Sequence, residues 1–430
     1  MKRLTVALQR IYNDSLLKNS IYLIAANCSS LVVGFFFWVI ASRYYTPNDI
    51  GIVSAILSSI FLISMISSIG LPMALTFYLP IYSKNANRII NTCLIIGIII
   101  SAIFSTIYIL GVNIWAPELK PILSGLTSIT IFIMTTIMTT ISLLMNGMFT
   151  AGKKSSFNMI KENIFGFTKI FPLTLLVGSG AIGIFVSWGI GMIIAMITGF
   201  YLLFKSWKYK PMFILDPTVK DMTTFSIGNY IAGIFYMLPK LIFPILIIDI
   251  ISSESAGYFF IAMTIASLLY GIPEAVAGPF LAESSDKNKF WNNVNKVIKF
   301  NIYLLVPGLL LFMIFGKFVL NIFNPNYAEN SFMTLIILSM ASLPLSLVVI
   351  FNIIRSSQKR IMSIIKTNGT VAVMTIILSI PLMRIWNIEG IAISYFIANT
   401  MVATIIIFRM KNPIESTLRL IKGDQNVISI

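Results

Sequence analysis

The chain has 430 residues, of which 57% are hydrophobic and 11% charged, and it carries a formal net charge of +16. Soluble globular domains are about 25% charged. This composition, with its repeated long apolar runs, excludes such a domain and predicts an all-α polytopic membrane protein. There is no histidine, and the two cysteines, Cys28 and Cys93, lie far apart in apolar runs where they read as inert buried thiols. The sequence therefore predicts no imidazole relay, no His- or Cys-ligated metal and no cofactor.

The opening segment "KRLTVALQRIYNDSLL" puts Leu4, Leu8 and Ile11 on one helical face, which suits a helix lying along a membrane surface. The run "IYLIAANCSSLVVGFFFWVI" is too long for a signal-peptide core and predicts a retained first span. Apolar patterning predicts twelve spans, near 20–42, 50–72, 89–110, 121–149, 159–178, 181–204, 225–248, 256–280, 297–316, 328–354, 361–383 and 390–408. Cytoplasmic loops collect Lys and Arg. The terminal segments and the loops after even-numbered spans hold 25 of the 31 basic residues, against four in the other loops, so both termini are expected in the cytoplasm. The remaining two, Lys169 and Lys240, sit inside spans. Trp207 and Tyr209, beside Lys205, Lys208 and Lys210 in the central connector, suit the headgroup layer. Dispersal of the positive charge over short loops argues against nucleic acid as a partner.

The sequence also repeats. At an offset of 206 residues, Gly51 matches Gly257, Asn146 matches Asn352, and Lys153–Lys154 match Lys359–Arg360. At 207, "GIFVSW" from Gly183 matches "GIAISY" from Gly390. An even number of spans in each half gives both halves one orientation, related by an axis along the membrane normal. The expected organisation is an N-terminal six-helix lobe (1–204), a cytoplasmic linker (205–224), a C-terminal six-helix lobe (225–408) and a cytoplasmic tail (409–430).

Three spans carry polar stripes at helical spacing: Asn229, Gly233, Tyr236 and Lys240; Ser267, Gly271, Glu274 and Gly278; and Thr135, Thr139, Ser142 and Asn146. Taken singly, their Ser, Thr and Gly residues are better explained by close helix packing. Ionic groups at bilayer depth are costly and ask for a reason. Lys240 and Lys169 read either as a cationic cavity lining that binds diphosphate, or as cations that snorkel or bond carbonyls freed at Pro239 and Pro172. Glu274 reads as a carrier of coupling protons, an ion-pair partner of a lysine, or a residue facing the inner interface.

"ASRYYTPNDIGIVSAILSSI" followed by "SSIGLP", then "NGMFTAGKKSS" and "IIDIISSESAGYFFIAMTIASLL", resemble the corresponding span junctions of polysaccharide flippases. Over nearly its whole length the chain resembles a Wzx-type member of the multidrug/oligosaccharidyl-lipid/polysaccharide (MOP) exporter superfamily. That resemblance implies a two-lobed fold of twelve or more helices, like that of multidrug (MATE) transporters. It implies transfer of undecaprenyl-diphosphate-linked oligosaccharide across the cytoplasmic membrane for surface polysaccharides such as O-antigen. The bilayer and other membrane proteins of polysaccharide assembly are the partners it implies, with H⁺ or Na⁺ as candidate coupling ions. Relatives often carry an acid, or an acid–base pair, midway along the seventh span, whereas Lys240 stands without a nearby acid. Two other functions stay open. A MATE-like drug or cation antiporter would want internal acids, and the spans offer two lysines against one clear acid. A membrane polysaccharide polymerase or ligase would want a large outer loop, which the spans leave no room for.

Overall fold

The computed structural model describes residues 29, 32–212, 215–283 and 290–421. The amphipathic opening segment, Cys28 and the last residues of the tail lie outside the described residues. The helices are α1 (Val32–Tyr44), α2 (Pro47–Ser67), α3 (Leu71–Tyr78), α4 (Ala86–Leu110), α5 (Leu126–Ala151), α6 (Ser155–Thr168), α7 (Ile170–Leu175), α8 (Ala181–Trp207), α9 (Thr218–Ile250), α10 (Ser253–Glu283), α11 (Phe290–Phe323), α12 (Phe332–Ser357) and α13 (Ile361–Ile421), with short turns between them. Among the described residues, nine helices are long and apolar enough to cross a membrane.

The difference from twelve has identifiable causes. The first span is described only from Val32 onward. The fifth is broken into α6 and α7 at Lys169, because Pro172 has no N–H to offer the Thr168 carbonyl one turn back. The eleventh and twelfth run on as α13, interrupted at Trp386 (φ −125°, ψ 25°) and Asn387 (φ 47°, ψ −132°).

The internal repeat is written into the backbone. Helices α5 and α12 are both 26 residues long and start and stop 206 positions apart. Each is followed by a lysine in the left-handed region, Lys153 at φ 54° and Lys359 at φ 57°, a conformation that ends helices by turning the chain. The next amide returns to the helix in both cases, Lys154 N to Phe149 O at 2.9 Å and Arg360 N to Arg355 O at 2.8 Å. Gly180, at φ 55° and ψ −139°, precedes α8 just as Asn387 precedes the second part of α13.

The halves meet along α2, which packs against α9 and α10. At one end the contact is reciprocal. A Cβ on Gly51 would lie 1.7 Å from the Ser253 carbonyl oxygen, and a Cβ on Gly257 would lie 2.1 Å from that of Pro47. Pro47 and Ser253 are themselves 206 apart, so the two contacts are counterparts under the repeat offset. Only backbones without side chains approach this closely.

At the opposite end, the one with the basic loops, α2 stops at Ser67 and the chain turns through Ile69 (φ 43°) and Gly70 (φ 72°). The left-handed conformation is costly for β-branched isoleucine, and Pro72 in the first turn of α3 then restarts the helix in a new direction. The connector after α8 is not a headgroup-facing stretch throughout. Tyr209 is buried, its hydroxyl donates to Asn91 Oδ1 at 2.7 Å, and burial raises its pKa. Asn91 also donates to Lys210 O, and Thr92 Oγ1 receives Asp216 N at 2.8 Å. The connector is thereby strapped to α4.

Candidate functional site

Lys240 lies on α9 between two helix-interior prolines, Pro239 and Pro244. Each proline removes one donor, so the carbonyls of Phe235 and Lys240 lose their usual helical partners. The lysine side chain remains 17% exposed and its Nζ stands 4.0 Å from Glu274 Oε1 on α10. The same carboxylate accepts a hydrogen bond from Tyr236 Oη. The ammonium also faces the rings of Tyr236, 4.8 Å from the centroid, and Tyr270, at 5.4 Å. The expectation that Lys240 stands without a nearby acid is therefore corrected. Its acid comes from the next helix, and of the three readings of Glu274 the ion-pair partner is the one the geometry displays. Its side chain is 45% exposed.

Lys240 lines a cavity of about 220 Å³ between the halves. One wall comes from α1, α2 and α8, with Trp38, Ser54, Ser58 and Trp188 among its residues. The other comes from α9 and α10, with Phe259, Phe260, Thr264 and Ser267. The buried Trp188 Nε1 in this lining makes no hydrogen bond within the protein. The cavity thus joins one cation, one unused donor, several hydroxyls and several aromatic faces.

Lys169 is not in that cavity. It is 3% exposed and held among three rings, Trp188 at 3.9 Å, Phe37 at 4.3 Å and Phe165 at 4.5 Å from Nζ. Trp188 separates it from the Lys240 cavity and belongs to both. The two lysines are therefore neighbours across one indole rather than facing charges. Asn229 is half-buried about three turns from Lys240, toward the basic end, and is not among the cavity's lining residues.

A third buried lysine escaped the sequence reading, which counted Lys161 with the basic loops. It is 1% exposed. Its ammonium donates to Asn146 Oδ1 at 2.6 Å, Ser142 Oγ at 2.7 Å and Ser142 O at 3.1 Å, and pairs with Glu162 at 3.2 Å. Ser142 and Asn146 are four apart on α5, so the polar stripe on the fourth span serves as this lysine's oxygen nest. The signal was available: Lys161 falls inside the predicted fifth span, one helix from that stripe. Among the described residues no group of His, Cys, Asp and Glu could hold a metal ion.

The profile of a family described as "Polysaccharide biosynthesis protein" matches residues 16–284. No curated protein matches the chain in sequence. Solved structures share the fold at low identity. A multidrug resistance MATE family transporter of the MOP superfamily, in an inward-facing conformation, is 12% identical with a TM-score of 0.72, covering 94% of this chain and 99% of that one. The lipid II flippase MurJ, inward closed, is 15% identical with a TM-score of 0.76, covering 91% and 87%. A MOP superfamily transporter from Pyrococcus furiosus, whose binding pocket is described as reversed in polarity, is 11% identical with a TM-score of 0.64, covering 92% and 95%.

Proposed function

The chain belongs to the polysaccharide biosynthesis protein family and has the multi-pass, MATE-like fold of MOP-superfamily transporters, and from that premise we propose that it is a flippase for undecaprenyl-diphosphate-linked oligosaccharide. The two lobes, 1–204 and 225–408, rock about the linker and expose the cavity between them to each side of the membrane in turn. The basic end, with both termini, faces the cytoplasm.

One observation carries this reading. Lys240 presents an ammonium to a cavity between the halves, and its acidic partner stands at 4.0 Å, beyond hydrogen-bond reach. A compact ammonium suits phosphate, and the Ser58 and Trp188 donors suit a substrate rich in oxygen acceptors. A diphosphate that takes Lys240 releases Glu274 from its cation. Glu274, oriented by Tyr236, then binds H⁺ or Na⁺, so that substrate loading and ion loading alternate on one lysine. Asn229 serves the path toward the basic end, whereas Lys169, caged by Phe37, Phe165 and Trp188, braces the wall of the cavity. A drug or cation antiporter is less well served, since the acid at this site is already engaged by Tyr236 and Lys240.

Purified protein in proteoliposomes tests the choice. A fluorescent lipid-linked oligosaccharide should change leaflet in a protein-dependent manner, and an organic cation dye should not accumulate. Dye transport without oligosaccharide transfer would overturn the reading.

A further inference from the structure

A second cavity, of about 400 Å³, adjoins the one at Lys240, and the two share Phe61 and Leu241 in their walls. Their linings differ in kind. The first holds a lysine, two tryptophans and several hydroxyls. The second contains no charged residue and is shaped by Met65, Met73, Met237, Leu143, Gly233 and Tyr230. It too lies between the halves, with α2, α3 and α5 on one side and α9 on the other.

Its existence follows from local structure. The turn at Ile69 and Gly70 sends α3 away from the line of α2. Gly233 has no side chain to fill the resulting gap, and a Cβ there would meet only the Met65 methyl, at 3.6 Å. Tyr230 closes the basic end by donating to Ile66 O at 2.6 Å. Three methionines make a flexible, polarisable wall that moulds to irregular apolar shapes. A ligand lying across the Phe61–Leu241 partition therefore meets a cation and an unused donor at one end and almost wholly apolar surface, with Ser68 at its edge, at the other. That is complementary to an amphiphile with an anionic head.

We propose that the methionine-walled chamber holds the isoprenoid segment next to the diphosphate of the substrate, so that the start of the tail travels between the halves with its head. The proposal rests on the flippase reading for the identity of the head group. Gly233 sets the room available to the tail, and Met237 stands on the lysine's own helix, three residues before Lys240.

A short isoprenoid diphosphate bearing a diazirine in its first isoprene unit, added to protein in nanodiscs and photoactivated, tests this by mass spectrometry of the labelled peptides. Labelling is expected at Met65, Met73 and Met237, above that of lipid-facing Ile99 and Ile103 on α4, each 52% exposed. It should fall at least fivefold in Met237→Trp, in Gly233→Leu and in Lys240→Ala. Label concentrated on Ile99 and Ile103, or an equal pattern from a diazirine phosphatidylcholine, would overturn the proposal. Leaflet transfer by the wild-type protein is measured alongside. Transfer without chamber labelling sinks the tail site and leaves the flippase standing. Chamber labelling that depends on Lys240 without any transfer supports the amphiphile site and sinks the flippase.

Discussion

Among the described residues, the first half of the chain buries Lys161 and Lys169 and surrounds both, whereas the second half leaves Lys240 partly open and loosely matched. Lys161 has four oxygens within 3.2 Å and Lys169 has three aromatic faces within 4.5 Å. Lys240 has one carboxylate at 4.0 Å and a cavity in front of it. In sequence all three are lysines in or beside apolar runs. The difference teaches that a lysine at bilayer depth acquires its meaning from what surrounds the ammonium. A fully coordinated cation stabilises, and an under-coordinated one is available to a ligand.

The contrast breaks first at Lys161. Lys161→Met leaves the Asn146 and Ser142 acceptors and Glu162 without their cation, and losing one partner of a buried ionic cluster costs about 3–5 kcal/mol. Thermal unfolding in detergent should show the largest drop of any lysine variant. An unchanged midpoint would mean that the nest contributes nothing. Next comes Lys169→Leu, which fills similar volume and forfeits cation–π attraction worth about 2 kcal/mol when desolvated. Its midpoint should fall by less than that of Lys161→Met, with lipid-oligosaccharide transfer reduced in proportion to folded protein. Loss of transfer at full stability would move Lys169 into the transport machinery.

Two further variants sharpen the Lys240 side. Glu274→Gln keeps the Tyr236 hydrogen bond and removes the charge. It should slow coupled transfer about tenfold, a barrier change of ~1.4 kcal/mol, while an imposed ion gradient ceases to accelerate it. Gradient-dependent transfer by this variant would remove Glu274 from coupling. The smallest effect belongs to Trp188→Phe, which keeps a ring over Lys169 and deletes the unused donor of the Lys240 cavity. A lost neutral hydrogen bond is worth about 0.5–1.5 kcal/mol, so apparent substrate affinity should weaken by roughly threefold with stability nearly unchanged. A stability loss with unaltered affinity would place the indole in the cage alone.

The legible parts of the molecule were those fixed by local pattern. Apolar runs located the spans, and the offset of 206 reappeared in matched helix ends at Lys153 and Lys359 and in the crossed contacts of Gly51 and Gly257. Pro172 marked a weak point in the fifth span, but the sequence did not say that the helix would part there. The candidate site was harder, because its members come from different helices. Tyr236 and Lys240 shared a visible stripe. Glu274 is 34 positions beyond Lys240, and nothing in the spacing says that α9 and α10 turn those faces together. Trp188 and Ser58 looked like ordinary span residues. Only packing showed that the two face one cavity and that the Trp188 indole N–H finds no protein partner. Lys161 was hidden by its place at a span boundary, where a lysine normally reaches water.

The central claim is that Lys240 is the site's available cation, and its most direct test is the initial rate of lipid-linked oligosaccharide transfer in proteoliposomes for Lys240→Ala, Lys240→Leu and Lys240→Arg at matched insertion. The account predicts background rates for alanine and leucine and partial transfer for arginine, which keeps the charge. Wild-type transfer by Lys240→Leu would contradict it.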